Sequence, residues 1–280
     1  MTKPIITNLR VLEEKKKSFR LGGAEKLQIL SDFDRTLTVA YVNGKKSNTS
    51  FARIREGNVL PQEYVNKAQT LFEKYYPIEQ DHSIAKEKKV REMVKWFREH
   101  LQLMVDYGLT REILKKIALE QIVPRGGFDK LINYTFKKKI PFLILSSGIG
   151  DMIKIFLESK GLDNKVRLVS NFFEWDSCGK AIKVKTPIIN SYNKDESEIK
   201  KTPYFECVKN RKNILLLGDT VGDIDMAIGF DFENIIKIGF LNKDTVNQLD
   251  ELKKHFDVIV PDDGTLEFVT DLLEELFLEE

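Results

Sequence analysis

The sequence is poor in several of the residues that whole classes of function require. Two cysteines in 280 residues, Cys178 and Cys207, supply neither a disulfide framework nor a CxxC site, so two free thiols in a reducing compartment are expected. Only three histidines are present, and with no cysteine cluster beside them a nitrogen- or sulfur-ligated metal centre has little to be built from. No run approaches the ~18 apolar residues of a membrane span, and Met1 to Arg20 lacks the continuous apolar core of a signal peptide. Charge of one sign is missing too. Lys+Arg 45 against Asp+Glu 43 leaves +2, so no overall field recommends a nucleic-acid polymer or a membrane surface as partner. There is no internal repeat and no low-complexity linker. What remains, 42% hydrophobic and 31% charged, is the mixture of an ordinary globular chain. A soluble cytoplasmic protein, acting as a monomer, is the expectation.

Apolar patterning divides the chain into two textures. Leu27 to Leu30, Phe142 to Leu145, Val166 to Ser170, Ile214 to Leu217, Ile235 to Ile238 and Val258 to Val260 are short apolar runs that read as buried strands. Helical stretches lie between them: Asn8 to Phe19, Asp151 to Ser159, a start at Asp225 to Ile228, and an acidic helix from Asp271 to Glu280. Such alternation predicts an α/β fold with a doubly wound parallel sheet. Residues 43–121 differ. Charged, helix-period segments dominate there, at Gln62 to Tyr75, Ile84 to Tyr107 and Thr110 to Glu120, and they read as a helical domain inserted into a core of residues 1–42 and 122–280.

Three strand ends carry polar phrases: Asp32-Phe33-Asp34, Ser146-Ser147-Gly148, and Gly218-Asp219-Thr220-Val221-Gly222-Asp223. Ligands of doubly wound sheets bind beyond the carboxyl ends of the strands. Asp32 and Asp34, two residues apart in extended chain, would face one side. Adding Asp219 and Asp223 gives four carboxylates whose repulsion calls for a hard divalent cation, and oxygen ligands with a substrate phosphate suit Mg²⁺. The plainer alternative is that these aspartates cap helices and form turns. Ser146 with the backbone before a helix would suit an anion, or simply an N-cap. A lysine is needed beside the phosphate. Lys194 is the candidate, with Lys200 and Lys201 competing on position.

Read together, DFDRTLT at residues 32–38, SSG and GDTVGD resemble the motifs of the haloacid dehalogenase-like hydrolases. QILSDFDRTLT, KYYPIEQD, MVKWF, SSGIGD, VSNF, NKDES, ILLLGDTVGDIDMA and IIKIGFLN, in that order, look like the cytosolic 5′-nucleotidase III family. The resemblance runs from about Gln28 to Asn242, and the insertion sits where that family carries a helical cap. It implies an Mg²⁺-dependent hydrolase of nucleoside 5′-monophosphates, with Asp32 as nucleophile and metal ligand and Asp34 as proton donor touching the metal through its backbone. Asp219 would be a further ligand supported by Asp223, and Ser146, Ser147 and Lys194 would hold the phosphate. Ser147 stands where the family has alanine. Glu79 matches a cap glutamate that contacts the base. Two ring positions that flank the base, His and Tyr in pyrimidine enzymes and larger aromatics in methylguanosine enzymes, are Phe51 and Phe97 here. His100 replaces a small polar residue near the substrate. The resemblance also leaves room for a phosphatase acting on a sugar phosphate or phosphoamino acid, for phosphotransfer to a nucleoside, or for a silent nucleotide-binding protein.

Overall fold

The computed structural model describes residues 3–81, 83–194, 199–200, 203–243 and 246–277. Lys201, the end of the NKDES phrase and the last three residues of the expected C-terminal helix lie outside them.

Seven strands form the central sheet: β1 (Ile5–Ile6), β2 (Leu27–Ser31), β5 (Phe142–Ile149), β6 (Arg167–Asn171), β9 (Asn213–Gly218), β10 (Asn234–Phe240) and β11 (Val258–Val260). Their order is β1-β11-β10-β9-β2-β5-β6. All neighbours pair parallel except β1, which closes the edge antiparallel to β11. Every position of β2 and β9 is buried, which explains why they read as unbroken apolar runs. Side chains nonetheless alternate between faces. Ile29, Phe142, Ile144, Leu215 and Leu217 enter one core, and Leu30, Leu143, Leu145, Ile214 and Leu216 enter the other, as a two-residue period requires.

Helices α1 (Leu9–Gly22), α6 (Phe128–Lys137), α7 (Gly150–Ser159) and α10 (Glu267–Phe277) supply the first core; α8 (Pro203–Val208) and α9 (Val246–His255) pack into the second. The chain specifies α1 locally. The Asn8 side chain accepts from Val11 N at 3.1 Å, and Gly23, at φ 68°, ends the helix where most residues would be strained.

The helical insertion consists of α2 (Ser50–Glu56), α3 (Gln62–Gln80), α4 (Lys86–Asp106) and α5 (Arg111–Gln121), preceded by the hairpin β3 (Tyr41–Val42) and β4 (Lys45–Lys46). Thr110 caps α5 through Ile113 N, as its position suggested. Tyr64, Ala68, Leu101, Met104, Leu114 and Ile117 join the first core, whereas Tyr75, Met93 and Trp96 make a separate cluster where α3 and α4 extend away from the sheet.

The structure corrects the sequence reading at three places. Helix α3 continues past Tyr75 through Pro77 to Gln80, because a proline near a helix end loses only one internal hydrogen bond; Glu79 therefore rides on its last turn. The helix expected to start at Asp225 is instead a 3₁₀ segment, Val221–Ala227, that ends before Ile228. Strand β5 runs through Ser146-Ser147-Gly148 to Ile149, whose side chain makes no cap for α7. Helix α6 and the strand pairs β3–β4 and β7 (Phe173–Trp175)–β8 (Ala181–Val184) have no counterpart in that reading.

Candidate active site

A cavity of about 860 Å³ opens where β2, β5 and β9 end, and α2, α3 and α4 cover its far side. Its wall includes Asp32, Asp34, Phe51, Glu79, Phe97, His100, Ser146, Ser147, Lys194, Asp219 and Asp223. All eleven residues singled out from the sequence thus meet in one space, although they come from segments far apart in the chain.

At the sheet end the aspartates divide the work. Asp32 follows β2 directly and is anchored by its N–H to Leu217 O at 3.0 Å. Lys194, 4% exposed, donates to Asp32 and, at 3.2 Å, to Asp223 Oδ1. Asp223 Oδ2 accepts from Thr220 N at 3.0 Å and Thr220 Oγ1 at 2.9 Å, closing a capping box. The plain capping role and a site role are therefore both met by one side chain, one oxygen each. Gly218 has to be glycine here, since a Cβ would lie 2.5 Å from that of Asp223. Asn242 donates to Asp219 Oδ2 at 3.2 Å.

Carboxylate oxygens of Asp32, Asp219 and Asp223 lie within 4.8 Å of one another. Burial drives Asp32 upward in pKa, against the pull of Lys194, and Asp223 adds to the rise; burial and then Asp223 raise Asp219 well above the ordinary range. Burial alone would lower Lys194, but the two carboxylates it touches hold it raised. Three crowded carboxylates and one ammonium are short of positive charge. An all-oxygen donor set with that deficit fits a hard divalent cation.

Asp34 stands apart from this trio. Its Oδ2 accepts from Ser50 N at 3.2 Å, and Arg53 Nη1 lies 3.4 Å from its Oδ1. It still faces the serines at the end of β5: a Cβ on Gly148 would come within 3.5 Å of Asp34 Oδ2, 3.2 Å of Ser146 Oγ and 2.5 Å of Ser50 Oγ, so glycine is what lets these groups converge. Ser146 Oγ accepts from Gly148 N at 3.1 Å, and Asn171 Nδ2 ties the Ser147 carbonyl at 2.8 Å.

The helical end is built differently. Phe51 and Phe97 contact each other edge to face, with ring centroids 5.0 Å apart and planes at 65°. A base sandwiched between two rings needs about 7 Å, twice a ~3.5 Å contact, so the pair does not stand as parallel jaws. His100, in contact with the Phe51 ring, is buried; burial, with Arg55 adding, lowers its pKa to about 3. Its Nε2 is 3.0 Å from the Tyr64 hydroxyl. Burial raises Glu79, offset in part by Lys89, and the Glu79 carbonyl accepts from the Tyr192 hydroxyl at 2.9 Å.

Several wall residues escaped the sequence reading, among them Arg35, Ser50, Arg55, Phe72, Lys89 and Tyr192. Each is an ordinary polar, charged or aromatic residue in a helical or loop context, and only the fold turns it inward. Lys200 is exposed and does not line the cavity.

Strand order, the position of the crevice and the aspartate–lysine cluster define a haloacid dehalogenase-like hydrolase fold. Phosphoserine phosphatase in its apo form shares that fold, with a TM-score of 0.52 at 20% identity over 88% of this chain and 97% of that one. A narrower relationship comes from the sequence. The family model for pyrimidine 5′-nucleotidase (UMPH-1) matches residues 35–277, and the chain belongs to that family of 5′-nucleotidases. It is 36% identical to 7-methylguanosine phosphate-specific 5′-nucleotidase B of Xenopus laevis over 266 residues, 94% of this chain and 92% of that one. The enzyme of the same specificity from Homo sapiens is 30% identical over 262 residues, 92% and 87% of the two chains. Among solved structures, cytosolic 5′-nucleotidase IIIB bound to cytidine superposes with a TM-score of 0.84 at 27% identity, covering 99% of this chain and 94% of that one. Among the described residues no helix is long and apolar enough to cross a membrane.

Proposed function

We propose that this chain is an Mg²⁺-dependent cytoplasmic 5′-nucleotidase that hydrolyses pyrimidine nucleoside 5′-monophosphates such as CMP and UMP, or 7-methyl-GMP, to nucleoside and phosphate. One observation carries the reading: a single cavity joins an aspartate pair and a buried lysine at one end to aromatic rings and a half-buried glutamate at the other. Residues 43–121 act as the cap that closes on the base.

Asp32 attacks phosphorus in line, forming an aspartyl-phosphate and expelling the 5′-oxygen. Asp34 gives that oxygen a proton, then takes one from the water that cleaves the aspartyl-phosphate, so one residue serves as acid and then as base. Ser50 N and Arg53 keep the Asp34 carboxyl oriented through this exchange. Lys194, Ser146 and Ser147 hold the phosphoryl oxygens. Asp32, Asp219 and Asp223, with the Asp34 backbone carbonyl, would hold Mg²⁺, which supplies charge neutralisation of the phosphoryl group. At the helical end the base stacks on the open face of the Phe51–Phe97 pair, or parts the two rings to enter between them, with Glu79 as acceptor for its amino or N–H groups.

The test is phosphate release with and without Mg²⁺ from CMP, UMP, AMP, GMP, 7-methyl-GMP and ribose 5-phosphate. Preference for CMP, UMP or 7-methyl-GMP supports the reading and decides between its two base classes. Activity confined to ribose 5-phosphate leaves a phosphatase with the same chemistry and removes the nucleotide from the account.

A further inference from the structure

Lys89 on α4 has no task in the reaction just described, yet it lines the cavity and is only 5% exposed. Among the described residues its Nζ donates no hydrogen bond and has no carboxylate within 4.0 Å. Its contact is the ring face of Tyr192, 5.2 Å from the centroid. Glu79 is near enough for the charge of Lys89 to act on it, and the Tyr192 hydroxyl donates to the Glu79 backbone carbonyl at 2.9 Å. Opposite charges sharing a desolvated space ordinarily close into an ion pair, because each left alone is costly. Here they do not: among the described residues no Lys89–Glu79 ion pair forms within 4.0 Å. An ammonium donor and a carboxylate acceptor thus line one cavity with hydrogen-bonding capacity to spare.

We infer that Lys89 is a specificity-determining residue: with Glu79 as acceptor, its ammonium donates to a carbonyl oxygen of the base. The inference rests on the nucleotidase reading and narrows it. Cytosine, uracil, guanine and 7-methylguanine each offer a carbonyl oxygen together with an amino or N–H donor. Adenine has no carbonyl: bound as guanine would be, it sets its amino donor where guanine has O6, against the Lys89 ammonium, and a buried donor denied its acceptor is what makes such sites selective.

Lys89→Met keeps the unbranched apolar stem, one atom shorter, and removes the donor. Measured on CMP, 7-methyl-GMP, AMP and ribose 5-phosphate, it should lower kcat/KM for the better carbonyl-bearing nucleotide by about tenfold to a hundredfold relative to ribose 5-phosphate, through KM. Preference over AMP should shrink by a similar factor, and Lys89→Arg should retain most of it. An equal loss on all four substrates would mark Lys89 as structural and overturn the inference, as would no loss on CMP and 7-methyl-GMP. A parent enzyme with no preference for any nucleotide over ribose 5-phosphate would instead sink the nucleotidase reading itself.

Discussion

The two ends of the cavity are made by opposite means. At the sheet end backbone hydrogen bonds fix several of the groups, Asp32 by its N–H to Leu217, Asp223 by the 3₁₀ capping box and Ser146 by Gly148 N, and directed polar bonds hold Lys194 and Asp219 in place. At the helical end the wall is side chains resting on side chains: Phe51 on Phe97 and His100, Phe72 on Tyr76, Arg55 over Phe72 at 4.1 Å. Phosphoryl transfer needs charges placed before the reaction begins, and a parallel sheet holds them with little freedom to move. Base recognition tolerates substitution, because any ring offers a face and apolar contact is not directional. Difference in construction therefore predicts difference in sensitivity to mutation.

The largest effect should follow loss of the nucleophile. Asp32→Asn is expected to reduce turnover of every phosphomonoester by more than about 10⁴-fold while the circular dichroism melt stays cooperative; substantial remaining Mg²⁺-dependent activity would remove Asp32 from the mechanism. Lys194→Met should come next, at roughly 10²- to 10³-fold in kcat, the range for losing one group that stabilises developing charge. Because it also unpairs two buried carboxylates, its unfolding midpoint should be followed alongside the rate. At the other end, Phe97→Ala should raise KM for nucleotides by about tenfold, from roughly 1–3 kcal/mol of stacking, and leave kcat for ribose 5-phosphate nearly unchanged. A uniform fall on both substrates would erase the proposed contrast between the ends.

The gentlest prediction concerns stability. His100 is neutral in the folded protein, with its pKa lowered to about 3 by burial, whereas unfolded histidine titrates near 6.5. Between these values the unfolded chain binds the extra proton, so stability falls as pH drops below about 6.5 and this contribution is flat above it. From pH 7 to 5 the histidine accounts for about 2 kcal/mol. Urea unfolding of the parent and of His100→Gln at the two pH values should differ in pH dependence by that amount; identical dependence would mean that His100 takes up its proton in the folded state as readily as in the unfolded one.

Motifs at the sheet end were legible because sequence spacing and spatial spacing nearly coincide there. Asp32 ends a buried strand, Asp219 and Asp223 bracket a short capped turn, and each phrase carries its own geometry. The helical end resisted the same reading. Glu79 lies past the helical stretch that the sequence showed and was marked only by resemblance, but α3 runs on through Pro77 and carries it to the cavity. Phe51 and Phe97, 46 positions apart, were placed by resemblance, and nothing in either segment told that the rings would touch. Lys89 in Lys86-Glu87-Lys88-Lys89 reads as solvated charge.

By itself, then, the amino-acid sequence determined the alternating strands and helices, the helical texture of the segment between them and the aspartates at the strand ends, all of which depend on periodicity or on neighbours within a few residues. Only the tertiary structure decided which charges face inward, that Asp34 answers to Ser50 and Arg53 instead of joining the three clustered carboxylates, and that Tyr192 contacts both Glu79 and Lys89. The physical reason is range. Backbone hydrogen bonding and apolar periodicity act locally along the chain, whereas the burial of a charge depends on whatever distant segment is packed over it.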